Sequence, residues 1–357
     1  MTKRRAFIFA LVFTALAALV YLQARTWMHL QWRGPEGFIA VTKRADLKRL
    51  LSAIALIYSV YYLRAVRWKV FLRPVCKASA ASLTPPQFIG FTGLALLGRP
   101  GEFIRPYLIA RRENLSVPSQ LAVWTVERLF DTASVTLLFA LLIFSGALNT
   151  VPLFSDSPDA LGKWRVAGWA LVALVLIGVS VAFLIRRNGE RLAGWIEGHV
   201  NRWAPHLGHL AAQRVRAFGE GLNTIHDASS FVQLLGISLC IWLVVGLAYF
   251  QVIRAYPADA PALHNIAFAH VVLLMVSSMA GSVLQLPGIG GGSQLATIAV
   301  LANMFFVPPV LATSCGIMLW LITFMAVIPA GLVLARREHV SLRQLEAESH
   351  RNPSAKH

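Results

Sequence analysis

Six charged residues lie beside or just after a Pro-Gly break in an apolar stretch of the sequence. They are Arg99, Glu102, Arg105, Glu127, Arg128 and Asp131. Charged side chains at membrane depth are costly, so they are candidates for function. Arginine binds phosphate oxygens through its planar fork of donors, which predicts phosphate contacts by Arg99 and Arg105.

The carboxylates that follow the break are placed to work together. Glu127 and Asp131 are four residues apart and share one face of a helix, where they would hold the arginines or a headgroup amine. Arg128 points elsewhere on the same turn and can reach a different partner. The alternative interpretation is a structural ion-pair network between Arg99 or Arg105 and these carboxylates.

A second break contains glycine in four of five successive positions. Its sequence PGIGGGSQ includes Gly288, Gly290, Gly291, Gly292 and Gln294. Glycine allows close approach of the backbone to a ligand, so this segment is predicted to form a wall opposite the charged break. Packing of helices through small residues is the alternative. The segment lacks the lysine of a phosphate-binding loop, which argues against a nucleotide site.

Both breaks interrupt apolar segments of about half a membrane span. One segment runs from Gly90 to Pro106 and the other from Gly281 to Thr297, and each meets Pro-Gly where a helix cannot continue. Paired Gly/Pro-interrupted segments of this kind indicate a transport site near the bilayer midplane. We therefore predict one site formed by two unequal halves. The first break contributes charged side chains, and the second contributes backbone groups of glycine.

The composition predicts a membrane protein. Of 357 residues, 57% are hydrophobic and 14% are charged, whereas a soluble domain has roughly 25% charged residues. The mean hydropathy is +0.62. The net charge of +17 is spread over separate loops without a nucleic-acid-binding motif, so it indicates contact with an anionic leaflet rather than with nucleic acid.

The pattern of apolar stretches predicts an all-α polytopic membrane protein with about eight transmembrane helices plus a re-entrant hairpin at 87–98. The candidate spans are about 6–22, 47–63, 119–145, 164–185, 230–253, 266–286, 294–306 and 309–334. Basic residues follow the second span, among them Arg64 and Arg67, and fill 186–229, so both termini are predicted to be cytoplasmic. The predicted topology places residues 23–49 outside the cell, and it does not explain why this loop contains many basic residues.

Four smaller features suit other roles. The N-terminal apolar run after Lys3 lacks an A-x-A cleavage site and is predicted to be a retained helix rather than a signal peptide. The connection 186–229 has the spacing of amphipathic helices on the cytoplasmic surface. His270 suits either a proton relay or a buried core position. The histidines and cysteines have no ligand spacing, so neither a metal nor a cofactor is predicted.

The motifs LLGRPGEFIRPYLIARRE, VERLFD and LPGIGGG, together with LRAVRWKVFLRP, resemble the transmembrane flippase-like domain of the lysylphosphatidylglycerol synthase family. The resemblance covers roughly residues 5–337 and implies a polytopic inner-membrane protein that moves a lipid between leaflets. It implies one transmembrane domain over 1–337 and a polar cytoplasmic tail over 338–357. The aminoacyl-transferase domain of bifunctional members is not expected. The family often has a glutamate where Gln294 stands, which weakens a carboxylate role at the second break.

The leading interpretation is a flippase-like transporter of the bacterial cytoplasmic membrane that moves a phospholipid or a polyprenyl-linked lipid. One alternative is a membrane enzyme acting on a lipid phosphate or pyrophosphate, with Ser293 as a faint candidate nucleophile that no adjacent arginine activates. Another is a non-transporting scaffold for cell-envelope lipid synthesis. The predicted partners are the lipid and the anionic leaflet. The sequence leaves open a homodimer and a separate lipid-modifying enzyme.

Overall fold

The computed structural model describes residues 31–156, 158–200, 228–257, 260–282, 285–286 and 290–338, together with residues 21 and 212. These residues are mostly helical, and the all-α membrane class is confirmed. Nearly all of the predicted span 6–22, most of the connection after residue 200 and the tail from residue 339 lie outside the described residues.

The helices of the first half are α1 (Phe38–Lys43), α2 (Leu47–Leu72), α3 (Ala80–Leu97), α4 (Ile104–Arg112), α5 (Val117–Phe144) and α6 (Pro152–Asp156). Turns of 3₁₀ helix occupy Arg99–Phe103 and Ala147–Thr150. The helices of the second half are α7 (Pro158–Val200), α8 (Ala228–Arg254), α9 (Pro261–His264), α10 (Phe268–Gly281), α11 (Gly292–Met304), α12 (Pro309–Trp320) and α13 (Val327–Arg337). The two-residue strands β1 (Gln285–Leu286) and β2 (Gly290–Gly291) separate α10 from α11, and a π turn at Leu321–Met325 joins α12 to α13.

Four helical segments in the described part of the chain are long and apolar enough to cross a membrane. They are Leu47–Leu72, Leu161–Gly178, Ser229–Arg254 and Pro309–Arg337. Helix α5 has 28 residues, about 42 Å at 1.5 Å per residue, which also exceeds an apolar core of about 30 Å. Helix α5 carries three charged residues, Glu127, Arg128 and Asp131, near its middle.

Two units make up the chain, and long helices contribute to both. Unit 1 comprises Met1–Ile57, Leu142–Trp164 and Val245–Ala326, and unit 2 comprises Tyr58–Leu141, Arg165–Val244 and Val327–His357. The charged break falls in unit 2 and the glycine-rich break in unit 1.

The charged break forms a helical hairpin in unit 2, as predicted for the re-entrant segment. Helix α3 begins at a capping serine, since Ser79 Oγ accepts the Ser82 N–H at 2.9 Å. It ends at Gly98, whose φ of +71° favours glycine. The chain then turns back on itself, because Gly93 lies against Gly101 and Gly90 lies against Arg105. Small residues on α3 therefore let α4 approach closely enough to bring Arg105 inward.

The core of unit 2 packs α2, α5 and α8 around this hairpin. Trp68, Phe71, Ile109, Val126 and Leu234 are buried in one apolar cluster that these elements share. These buried side chains are closely packed, and their contacts hold the helices at a fixed separation. Helix α13 also packs against α3 at Gly331, where an added Cβ would meet the Phe88 carbonyl oxygen at 2.8 Å.

The glycine-rich break forms a second hairpin in unit 1. Helices α10 and α11 have 14 and 13 residues, about 20 Å each and too short to cross a core of about 30 Å. The full spans predicted at 266–286 and 294–306 are therefore wrong. Helix α10 meets α11 at Gly281, where an added Cβ would lie 2.9 Å from the Ala296 Cβ. The strand pairing Gln285↔Gly291 and Leu286↔Gly290 satisfies backbone groups at the turn.

Helix α7 runs beyond the predicted span 164–185 into the connection. It continues to Val200 with one non-helical residue, Asn188, at φ −131° and ψ 27°. The predicted helical character of 186–200 is therefore present, with a kink close to its start.

Replacing Gly101 with alanine is predicted to destabilise the first hairpin. The added Cβ would lie 2.5 Å from Leu94 N and still closer to the Gly93 carbonyl, so backbone must move apart. Overpacking of this kind costs about 1–3 kcal/mol, and the thermal unfolding midpoint of the purified protein in detergent should fall by several degrees. Gly178→Ala is the matched control, because a Cβ there meets nothing within 4 Å. An equal fall for both variants would contradict this packing.

Candidate functional site

Four of the six predicted charged residues come together in unit 2. Arg105 lies in the first turn of α4, and Glu127, Arg128 and Asp131 lie on one turn of α5. Glu127 is fully buried, and Asp131 and Arg105 are also buried. At 1.5 Å per residue, Glu127 lies about 15 Å from the start of α5. This distance is roughly half the thickness of an apolar core. These charges therefore meet at membrane depth.

Two arginines that were assigned to a cytoplasmic loop complete the cluster, so that assignment is wrong. Helix α2 continues to Leu72, which places Arg64 and Arg67 within it, and both side chains are buried. The segment after the predicted end at residue 63 contains no glycine or proline before Pro74, so nothing ends the helix there. The three-residue spacing of the two arginines, which puts them on one helix face, is the signal that could have located them.

Both oxygens of Glu127 are held by arginines. Arg105 donates from Nη1 to Oε1 at 3.1 Å and from Nη2 to Oε2 at 2.5 Å, which is a two-pronged contact. Arg67 Nη2 also donates to Glu127 Oε1. Arg105 Nη1 has a further acceptor in Gln87 Oε1 at 3.1 Å. Glu127 thus ties α4 to α2.

Asp131 ties α2 to α8. Arg67 Nη1 donates to Asp131 Oδ1 at 2.7 Å and Arg64 Nη1 to Oδ2 at 3.3 Å. From α8, Trp242 Nε1 donates to Oδ1 at 3.2 Å, and Ser238 Oγ lies 2.8 Å from Arg67 Nη1. Arg67 therefore links both carboxylates, and four helices meet at this cluster.

Aromatic rings cover the arginines on the apolar side. The Arg105 guanidinium lies 4.7 Å from the Trp68 ring centre and 5.2 Å from that of Phe91, and Arg64 lies 5.0 Å from Phe91. Cation–π contacts of this kind contribute about 0.5–2 kcal/mol each, most where water is excluded. They lower the cost of keeping the arginines charged among apolar helices.

Arg128 is the one member of the described cluster that is substantially exposed. Its side chain is 40% exposed, and its Nη2 lies 3.0 Å from Asp131 Oδ2 and 3.8 Å from Glu127 Oε2. These are ion-pair distances without the alignment of a hydrogen bond, and neither Nε nor Nη2 of Arg128 has a hydrogen-bond partner among the described residues. The side chain is thus partly exposed, while its Nε and Nη2 are buried without an aligned hydrogen bond.

A small pocket opens at the charged break, beside Arg105 and Arg128. Its volume is about 20 Å³, and its lining comprises Gly90, Phe91, Leu94, Glu102, Arg105, Trp124 and Arg128. A volume of about 10–15 Å³ is enough for one water molecule, so the pocket in this conformation admits one polar atom rather than a whole headgroup. The glycine at position 90 and the two arginines make one wall polar, while Trp124 and Leu94 make the other apolar.

The remaining two predicted residues of the first break pair with each other. Arg99 Nη1 donates to Glu102 Oε1 at 3.2 Å, and the Arg99 side chain is 56% exposed. Arg99 does not line the pocket, whereas Glu102 does. The predicted contact of Arg99 with Glu127 or Asp131 is not among the ion pairs of the described residues.

The residues predicted at the second break belong to unit 1. Gly290 and Gly291 form β2, Gly292 begins α11, and Gln294 is buried in its first turn. Gly291 has a φ of +142°, a conformation that requires glycine. Gly288 lies outside the described residues. Close contact of Gly281 with Gly292 supports the small-residue packing alternative, and the role of this segment as a wall opposite the charged break stays a prediction.

His270 occupies a satisfied core position. Its Nδ1 accepts the Ala267 N–H at 3.3 Å, so Nε2 carries the proton and can donate to the Ala147 carbonyl at 2.9 Å. Thr150 Oγ1 lies 2.9 Å from the same Nε2. With both ring nitrogens occupied, the core interpretation of His270 is favoured over a proton relay. The described residues contain no group of three His, Cys, Asp or Glu that could hold a metal ion.

Comparison with known proteins gives one family and two relatives. The model of the lysylphosphatidylglycerol synthase TM region matches residues 6–331, which confirms the resemblance seen in the motifs. A UPF0104 membrane protein of Methanothermobacter thermautotrophicus is 26% identical over 84% of this chain and 88% of its own length. Glycosyltransferase AglD of Haloferax volcanii is 27% identical over 61% of this chain and 41% of its own length. No solved structure matches the chain.

Glu127→Gln is predicted to destabilise the protein strongly. The substitution leaves the buried guanidiniums of Arg67 and Arg105 without their shared counter-charge, and breaking a buried ion pair costs about 3–5 kcal/mol. The yield of monodisperse protein and its unfolding midpoint in detergent should both fall.

Arg99→Gln is the control for this prediction. The exposed pair with Glu102 contributes at most about 1 kcal/mol, so the unfolding midpoint should change little. Similar midpoints for Glu127→Gln and the wild type would show that the buried network does not hold unit 2 together.

Proposed function

Because the chain belongs to the lysylphosphatidylglycerol synthase transmembrane family, we propose that this multi-pass membrane protein moves a lipid between leaflets. The lipid headgroup would pass the pocket at the charged break, while its acyl or prenyl chains stay among the apolar side chains. The observation that carries the proposal is the pairing of a Pro-Gly hairpin with two pocket-lining arginines, Arg105 and Arg128, at membrane depth.

The cluster divides into a structural part and a binding part. Arg67 is fully buried, and its two terminal nitrogens donate to Glu127, Asp131 and Ser238, so its role is to hold the helices. Arg128 is partly exposed and has unused donors, so its role is to contact the headgroup. Arg105 serves both parts, because it is fixed by Glu127 and also lines the pocket.

Entry of a headgroup needs a larger opening than the pocket now has. Of the charged side chains that line the pocket, Arg128 is the most exposed, so outward movement of Arg128 would break its ion pair with Asp131 but meet the least packing. Its outward movement would leave the Arg67, Glu127 and Asp131 contacts in place. Lipid transfer would therefore require local movement at the hairpin without loss of the buried network.

The lipid is a phospholipid or a polyprenyl-linked lipid in this proposal. The match to a glycosyltransferase, over less than half of that relative's length, supports a lipid that carries or receives a sugar. We further propose that the protein lies in the cytoplasmic membrane with both termini in the cytoplasm, and that it acts without catalysis of its own. The positive loop charges and the family support this placement.

Arg128→Gln is predicted to slow lipid transfer without unfolding the protein. The purified full chain would be reconstituted in vesicles that contain fluorescent phosphatidylglycerol or fluorescent polyprenyl phosphate. The rate of lipid transfer would be measured by chemical reduction of the dye in the outer leaflet. Loss of one pocket-lining charge should reduce the transfer rate about tenfold or more, since a hydrogen bond to a charged group contributes about 1.5–3 kcal/mol.

Arg111→Gln is the matched control, because Arg111 is an exposed arginine outside the pocket on the same hairpin. Its transfer rate should equal that of the wild type. Transfer by Arg128→Gln at the wild-type rate would refute the proposed site. Release of inorganic phosphate from a lipid pyrophosphate by the wild type would instead support the enzyme alternative.

A further inference from the structure

The charges of the cluster do not cancel. Four arginines, Arg64, Arg67, Arg105 and Arg128, surround two carboxylates, Glu127 and Asp131. The adjoining pair of Arg99 and Glu102 is neutral. Among the described residues of these ion pairs, the excess is therefore two positive charges, four minus two. An uncompensated charge is costly at membrane depth, so a dianion is the ligand that would balance the cluster.

The unused donors point the same way. Besides Nε and Nη2 of Arg128, the Nε atoms of Arg64 and Arg67 and the Nε2 of Gln87 have no hydrogen-bond partner among the described residues. Gln87 is fully buried, and its Oε1 accepts from Arg105, so its amide nitrogen lies beside the same guanidinium that lines the pocket. Buried donors of this kind are rarely left unpaired, and phosphate oxygens are strong acceptors.

We propose that this site binds a lipid phosphate group with two or more negative charges, a phosphate monoester or a pyrophosphate, in preference to a phosphodiester. The inference rests on the proposed function and names its substrate class. A diester carries one negative charge and would leave one positive charge of the cluster unbalanced. A monoester at neutral pH carries nearly two, since its second pKa is about 6, and presents three oxygens to the arginines.

The geometry assigns distinct roles to the groups around the ligand. Arg128 and Arg105 contact the phosphate, from α5 and α4 respectively, and Glu102 on the 3₁₀ turn is neutralised by Arg99. Behind them, Glu127 and Asp131 remain engaged with Arg64 and Arg67. The ligand thus adds its charge to the side of the cluster where Arg128 is exposed.

The test compares three ligands that share one chain: farnesyl phosphate, farnesyl diphosphate and the methyl diester of farnesyl phosphate. Their dissociation constants would be measured by calorimetry with the purified full chain in a nonionic detergent at pH 8. Farnesyl phosphate and the diphosphate should bind about tenfold or more tightly than the diester, a ratio that equals about 1.4 kcal/mol. At pH 5 the monoester is largely monoanionic, so its advantage over the diester should disappear.

The variants separate charge from folding. Arg128→Gln should reduce the ratio of monoester to diester affinity to less than about threefold, a ratio that equals about 0.7 kcal/mol, while its unfolding midpoint stays at the wild-type value. Arg128→Lys retains the charge and should retain most of the ratio. Arg111→Gln, which removes an arginine outside the pocket, should bind all three ligands as the wild type does.

Each remaining outcome decides a different point. Equal affinity for monoester and diester at pH 8 would overturn this inference and leave lipid transfer intact, provided that Arg128→Gln still slows transfer in vesicles. A ratio unchanged in Arg128→Gln would overturn the assignment to this pocket. Competition by inorganic phosphate at the affinity of farnesyl phosphate would assign the site to a soluble phosphate and overturn the lipid part.

Discussion

Burial of charge in an apolar surrounding is the constraint on which unit 2 depends. A lone charged side chain at membrane depth costs several kcal/mol, roughly 2.5–3.5 on insertion scales and more in simulations. Glu127 and Asp131 can remain charged there only because Arg67 links them and Arg105 closes the other side of Glu127. The helices that carry these residues must therefore stay at fixed distances, and loss of one member would leave its partners uncompensated.

Small residues in the first hairpin make that ionic contact possible. Arg105 reaches Glu127 because Gly90 offers no side chain where the Arg105 Cβ lies. The close approach of Gly93 to Gly101 sets the turn that leads into α4. Backbone geometry and electrostatics are thus coupled: the glycines let the arginine enter, and the carboxylate then holds it there. The second hairpin, in unit 1, has the same close glycine contact but uses strand pairing instead of side-chain charge to satisfy its turn.

The sequence predicted the parts of this arrangement that local patterns determine. Pro-Gly after an apolar run predicted both breaks and the first hairpin, and the four-residue spacing of Glu127 and Asp131 predicted their shared face. It did not predict Arg64 and Arg67 in the cluster, because arginines just after an apolar run are usual at the cytoplasmic end of a span. The packing of Trp68 and Phe71 in the core shows that α2 continues past the two arginines.

The lengths of α10 and α11 escaped prediction for a related reason. An apolar run of ordinary composition does not reveal where its helix ends when the turn is made by glycine contacts such as that of Gly281 with Gly292. Tertiary contact, rather than composition, decides the difference between a span and half of a hairpin.

A purely structural network would have little reason to keep Arg128. Arg67, Arg64 and Arg105 already engage the oxygens of both carboxylates, so a fourth guanidinium adds positive charge without satisfying a new acceptor. Its Nη2 lies 3.0 Å from Asp131 Oδ2, but neither Nη2 nor Nε makes an aligned hydrogen bond among the described residues, and the side chain lines the pocket at the hairpin. The ionic network that fixes the helices thus also sets the potential of the pocket, and adding a third carboxylate for stability would remove the excess charge that attracts an anion.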